Sequence, residues 1–171
     1  MLRRASGSLN GMGFLMQTDK SRHWAFDYIG CGFSSGSTGP GAYDCWGLVR
    51  AVYRHCYQIN IDPVICDAGS LRQVRATFGK DKLYKSWVKI TGSAGDGDAV
   101  LMRQGKFTSH VGLYADVDGG RIVHALPGVG VVAQSINRIE QAGYQIAGIY
   151  RHKKRRDWSD RCDLRDCPQS V

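Results

Sequence analysis

The chain has no Cys-x-x-C pair, no apolar run long enough to cross a bilayer, no Gly-Lys-Ser/Thr and no G-x-G-x-x-G following a strand. These gaps exclude a disulfide scaffold, a membrane-spanning helix and a standard nucleotide cradle. Six cysteines without a regular framework fit synthesis in a reducing compartment. Cys162 and Cys167 lie near His152 in a polar segment, but their spacing matches no common zinc pattern, so no metal and no cofactor are expected. Arg3 and Arg4 precede an apolar run, Met12 to Met16, which Gly13 breaks and which is too short for a signal h-region. Any export is therefore expected to proceed without a cleaved signal peptide. Acidic residues number 15 against 23 basic ones, giving a formal charge of +8. That balance favours a polyanionic neighbour without choosing among nucleic acid, an acidic envelope and an acidic protein patch.

What is present reads as one domain, since 171 residues of which 43% are hydrophobic can bury a core of their own. Residues 1–19 read as a loose arm, 20–151 as the folded domain and 152–171 as a basic polar tail. Trp24 with Tyr28, and Ala25 with Ile29, make i, i+4 pairs that predict a helix over 20–29, stopped by Gly30. A Gly-rich loop then leads to Tyr43, and Asp44 caps a helix whose apolar positions Leu48, Val49, Val52, Tyr53 and Cys56 share one face. Leu71, Val74 and Phe78 predict a further helix ending at Gly79, and 83–90 is a strand candidate. From Gly97 onward the period becomes two, with strands predicted at 98–102, 110–115, 121–126, 129–134 and 145–150. Helices first and an antiparallel sheet second define an α+β class.

The chemistry concentrates at Cys45, on the first turn of the capped helix. Unpaired backbone N–H groups and the positive end of the helix dipole stabilise a thiolate there, so the thiol is expected below its usual pKa of about 8.5. Burial as a small core residue is the bland alternative for any cysteine. Two histidines shift the balance. His110 opens one strand and His124 sits late in the next, with 116–120 as the turn between them. Their separation of 14 is even, so an odd-length loop centred near Val117 puts both imidazoles on one face and nearly opposite. Thiol chemistry needs a thiolate, an imidazole to shuttle the proton, and a polar group to orient that imidazole. Cys45, His110 and His124 fill those roles in order. His23, His55 and His152 receive no role.

Tyr43-Asp44-Cys45-Trp46-Gly47-Leu48-Val49, Gly97-Asp98-Ala99-Val100, His110-Val111-Gly112-Leu113-Tyr114 and Val123-His124-Ala125 resemble, in order and spacing, the motifs of the NlpC-type cell-wall cysteine peptidases. The resemblance runs from about residue 20 to 151. It implies a papain-like fold, with the nucleophile's helix packed on an antiparallel sheet, and cleavage of amide bonds in peptidoglycan stem peptides. By that match Cys45 is the nucleophile, His110 the general base and then acid, and His124 the orienting residue. Trp46, where most cellular members have Ser, and the closing Ala147-Gly148-Ile149-Tyr150-Arg151 look like the branch encoded with bacteriophage tail genes. That branch implies a virion-tail or host-cytoplasmic location, action in the bacterial wall, and tail-tip or hub proteins as partners, with no specific nucleic acid.

One position departs from the pattern. Cellular members carry a Tyr twelve residues before the nucleophile, and here that position is Phe33. Either Tyr28 or Tyr43 substitutes for its hydroxyl, or the enzyme is slower or differently specific, and Tyr43, Trp46, Phe33 and Tyr28 are the candidate substrate-binding residues. An inactive tail-tip component on the same fold, and a thiol acyltransferase or amidase, are the competing readings.

Overall fold

The computed structural model describes residues 22–63 and 86–155. The arm over 1–19, the helix expected around Leu71 to Gly79, and Cys66, Cys162 and Cys167 lie outside the described residues.

Among the described residues, eight strands and two α-helices follow in order. They are β1 (Gly32–Phe33), β2 (Ala42–Tyr43), α1 (Cys45–Tyr57), β3 (Trp87–Ile90), β4 (Ala99–Gln104), β5 (Phe107–Ala115), β6 (Arg121–Leu126), β7 (Gly130–Gln134), α2 (Ile136–Gln141) and β8 (Gln145–His152). Strands β3 to β8 form one six-stranded sheet in the order β3-β8-β4-β5-β6-β7, with every neighbour pair antiparallel. The two-residue strands β1 and β2 pair with each other in parallel. The architecture is mixed helix and antiparallel sheet, with the sheet dominant. The period-two segments all became strands, and their ends moved by no more than three residues.

The α1 helix forms because its apolar positions recur on one face, and Leu48, Val49, Val52 and Tyr53 are all fully buried. Asp44 caps it by accepting from the Gly47 amide, a bond of the kind that contributes about 1 kcal/mol. Val111, Leu113, Ala115, Val123 and Ala125 alternate inward along β5 and β6 and join the same cluster as the helix. On the other face, Val100, Met102 and Ile122 pack under Ile139 of α2. The sequence reading did not foresee α2, although Ser135 caps it and its single buried residue is Ile139.

Two expectations change. Within 20–29 the described chain forms only a 3-10 turn, Trp24–Asp27, capped by His23. The reason lies just downstream, where Gly30 donates to the Val131 carbonyl and Val131 donates to that of Cys31. Pairing with the edge strand β7 pulls the chain off a helical path. The second change concerns the basic run. Strand β8 continues to His152, which is buried against Trp87, and the Arg155 side chain is only 2% exposed. Arg155 reaches Asp98 at 3.2 Å, while Arg151 grips the same carboxylate through two bonds of 2.9 and 2.7 Å. Asp98 is completely buried, and a buried carboxylate needs counter-charge, so Arg155 folds onto the domain beside Arg151 instead of solvating a tail.

Candidate active site

Cys45 is the first residue of α1, partly exposed, and packs against the large cluster that contains Val111 and Ala125. Cys31, Cys45 and Cys56 are thiols, and of the three only Cys56 is buried. The loop before the helix is tied over its first turn. Gly36 donates to Asp44 Oδ2, Asp44 donates its amide to the Ser37 carbonyl, and a Cβ on Gly47 would stand 1.9 Å from that same carbonyl oxygen. Only glycine allows this closure, which sets where the cysteine sits.

The two histidines meet. His110 Nε2 and His124 Nδ1 are 2.8 Å apart, and the pair is buried. The hairpin loop is odd, as expected, but it is centred on Asp118 instead of Val117, because Leu113 pairs with Val123 and Ala115 with Arg121. Continuing that register puts Gly112 across from His124 and leaves His110 diagonal to it. A Cβ on Gly112 would lie 3.0 Å from the His124 Cβ. The diagonal keeps both rings on one face, and the glycine makes room for the second. That face is the one shared with Met102, the cross-strand partner of His110, and with Tyr144, whose ring centroid is 5.4 Å from that of His110. The alternate residues Val111, Val123 and Ala125 face α1, so Cys45 packs beside the neighbours of the two histidines. A register shift in β5 falls immediately before His110, between its pairing with Met102 and that of Thr108 with Arg103.

A third residue, missed in the sequence, orders the pair. Gln134 Oε1 is 3.0 Å from His124 Nε2. A carbonyl oxygen can only accept, so His124 carries its proton on Nε2 and presents a bare Nδ1. His110 must then donate from Nε2, which leaves its Nδ1 with the lone pair. Both rings are held neutral: burial, and then the neighbouring His124, push the His110 pKa down to about 3, and burial also lowers that of His124 against a smaller opposing effect of Gln134. The relay therefore leaves a proton-accepting lone pair on His110 Nδ1. Period two along β7 held the clue, since Gln134 lies two residues beyond Val132, the partner of His124.

The other candidates are placed as follows. Phe33 and Tyr43 are register partners in β1 and β2, and Tyr28 packs edge-on to Tyr43 with centroids 5.5 Å apart. The Tyr28 hydroxyl is 3.0 Å from His55 Nδ1. Trp46 is buried and donates its indole N–H to the Asp62 carbonyl at 3.2 Å. Of the histidines without a predicted role, His23 binds Asp96 at 2.7 Å and His152 packs on Trp87. Among the described residues, no group of His, Cys, Asp or Glu is arranged to hold a metal ion.

A cysteine opening a helix, a six-stranded antiparallel sheet and a buried histidine pair on adjacent strands define a papain-like fold of the NlpC type. The NlpC/P60 family matches residues 30–147, more than half of the chain, and the protein belongs to that family. Among solved structures the chain is similar to that of NlpC1 from Trichomonas vaginalis, at 23% identity and a TM-score of 0.54. The match covers 75% of this chain and 41% of that one, and it shows the fold alone. No curated protein matches the sequence.

Proposed function

We propose that the protein is a cysteine peptidase that cuts amide bonds in peptidoglycan stem peptides, with Cys45 as nucleophile, His110 as general base and then acid, and His124 orienting His110. The observation that carries this reading is the Gln134–His124–His110 relay, which leaves His110 Nδ1 as a proton acceptor. In the reaction the Cys45 thiol passes its proton to that nitrogen and attacks the carbonyl carbon. The resulting oxyanion is held by N–H groups at the start of α1, the amine leaves with the proton from His110, and water hydrolyses the thioester. The reading requires Cys45 Sγ to reach His110 Nδ1 although α1 packs on the Val111 and Val123 face of the sheet and the imidazole on the face of Met102 and Tyr144, and it fails if the two groups stay on opposite sides.

Clearing of purified cell walls by the wild-type chain but not by Cys45→Ala is the expected result. Equal clearing by both, or by neither, removes this substrate. Alkylation by iodoacetamide at pH 6 adds an independent measure. Cys45 should react faster than Cys56, and His110→Ala should slow it; no slowing means that His110 does not act on the thiol.

The finer assignment, to a phage or prophage tail that opens the wall locally or needs the enzyme for tail-tip assembly, is supported by Trp46 and by the 147–151 segment. In that setting the protein resides in the virion tail, or in the host cytoplasm before assembly. Phe33 favours the second reading, a structural tail-tip protein with an inactive site, and the same clearing assay separates the two.

A further inference from the structure

We propose that a cavity beside the histidine relay binds a carboxylate of the substrate peptide, making Arg121 and Arg138 specificity residues. This inference rests on the peptidase reading above. The cavity has a volume of about 460 Å³ and is lined by Arg121, Ala133, Gln134, Ser135 and Arg138. Two guanidinium groups line it and no acidic side chain does. Neither arginine forms an ion pair among the described residues. Arg121 gives one N–H to the Gly120 carbonyl, at 3.2 Å, and keeps its other donors. Ser135 accepts from the Arg138 amide at 3.4 Å, so its own hydroxyl proton is available to a ligand.

Gln134 joins this cavity to the chemistry. Its Oε1 accepts from His124, and its amide nitrogen has no partner among the described residues. An occupant of the cavity therefore meets guanidinium forks, a hydroxyl and a side-chain amide, all of them donors. Guanidinium forks match planar carboxylates in a bidentate manner. Stem peptides are rich in free carboxylates, and the net charge of +8 draws such a ligand in. A bound carboxylate that also accepts from the Gln134 amide would fix its flip, and with it the tautomer of His124. Occupancy of the cavity and readiness of the base are thus linked.

The test uses the full chain carrying Cys45→Ala, which binds without turnover, and two synthetic ligands. One is γ-D-glutamyl-diaminopimelate with its carboxylates free, and the other is the same dipeptide with them amidated. Calorimetry should show the free acid binding more tightly by about tenfold or more, the range for charge-assisted hydrogen bonds. Arg121→Gln and Arg138→Gln should each erase most of that preference while keeping the melting temperature, since Arg138 is exposed, Arg121 is half-buried and neither forms an ion pair among the described residues. Equal affinity for acid and amide, no binding of either, or an unchanged preference in both arginine variants overturns the proposal. Acid preference in a protein that fails to clear cell walls would uphold the cavity and defeat the peptidase reading. Clearing without acid preference would do the reverse.

Discussion

Replacing Gln134 by Leu removes the acceptor that, among the described residues, fixes the His124 tautomer, while nearly preserving side-chain volume. His124 is 1% exposed, so its Nε2–H would be left buried without a partner. An orphaned buried donor of this kind costs about 1–3 kcal/mol. For a chain of this size that corresponds to a fall in melting temperature of roughly 2–12 °C. The effect on chemistry has a different origin. Without the Gln134 carbonyl, His124 can place its proton on Nδ1 and donate to His110, which then carries its own proton on Nδ1 and no longer accepts one from the thiol. If the unfixed pair loses 1.4 to 2.7 kcal/mol of preference for the productive tautomer, the rate falls about ten- to a hundredfold. The fall should appear in kcat more than in KM, because the relay acts on the transition state. Histidine ¹⁵N chemical shifts read the tautomers directly. The wild-type protein should show His124 protonated on Nε2 and His110 protonated on Nε2, and Gln134→Leu should mix the two forms. A wild-type spectrum with His110 protonated on Nδ1 would refute the reasoning, as would a Gln134→Leu protein with unchanged shifts and unchanged melting.

Three further outcomes follow from the same geometry. Gly112→Ala places a methyl 2.7 Å from Ile122 Cγ2 and 2.9 Å from the Val123 carbonyl oxygen, with His124 next to it; overpacking of this sort costs about 1–3 kcal/mol, and the His110–His124 bond should lengthen, seen as a change in the imidazole ¹⁵N shifts. Acid should weaken the fold early: both histidines have folded pKa values lowered by burial, so the unfolded chain takes up protons first as pH drops below about 6.5, and stability declines by about 1.4 kcal/mol per pH unit from His110, with a further decline from His124. Urea midpoints at pH 7, 6 and 5 measure this, and a midpoint constant over that range contradicts the burial of the pair. Asp98→Asn strips the counter-charge from Arg151 and Arg155, and breaking a buried pair of this kind costs about 3–5 kcal/mol, read by thermal or urea unfolding.

Much of this was legible because the site uses local signals. Asp44 before the apolar face of α1 fixes a helix start, and a helix start fixes where Cys45 stands. The motif residues on β5 and β6 lie in a hairpin, whose partner is set by a short turn. What resisted reading was anything decided by distant pairing. The i, i+4 contacts of Trp24 and Tyr28 describe a helix correctly in isolation, yet the backbone bonds from Gly30 and Cys31 to Val131 end it after one turn. The run Lys153-Lys154-Arg155-Arg156 reads as solvated until Asp98 is known to be sealed from water, and no local pattern reveals that a residue 57 positions upstream is the partner of Arg155.

The register of the histidine hairpin shows how small a sequence ambiguity can be and still matter. Centring the loop on Val117 would set the two rings directly across from each other; centring it on Asp118 sets them diagonally. A step of one residue in the loop's centre moves one strand by two residues relative to the other, so both rings stay on the same face. The consequence lies elsewhere. The diagonal brings the backbone at 112 against the His124 Cβ, and glycine is the residue that leaves room for Nε2 of one ring to reach Nδ1 of the other. The separate register of β6 on β7, which pairs His124 with Val132, brings Gln134 to His124 and so fixes the proton on His124 and the lone pair on His110. The turn at Asp118-Gly119, where both residues adopt positive φ, is therefore what converts two strand histidines into an ordered relay.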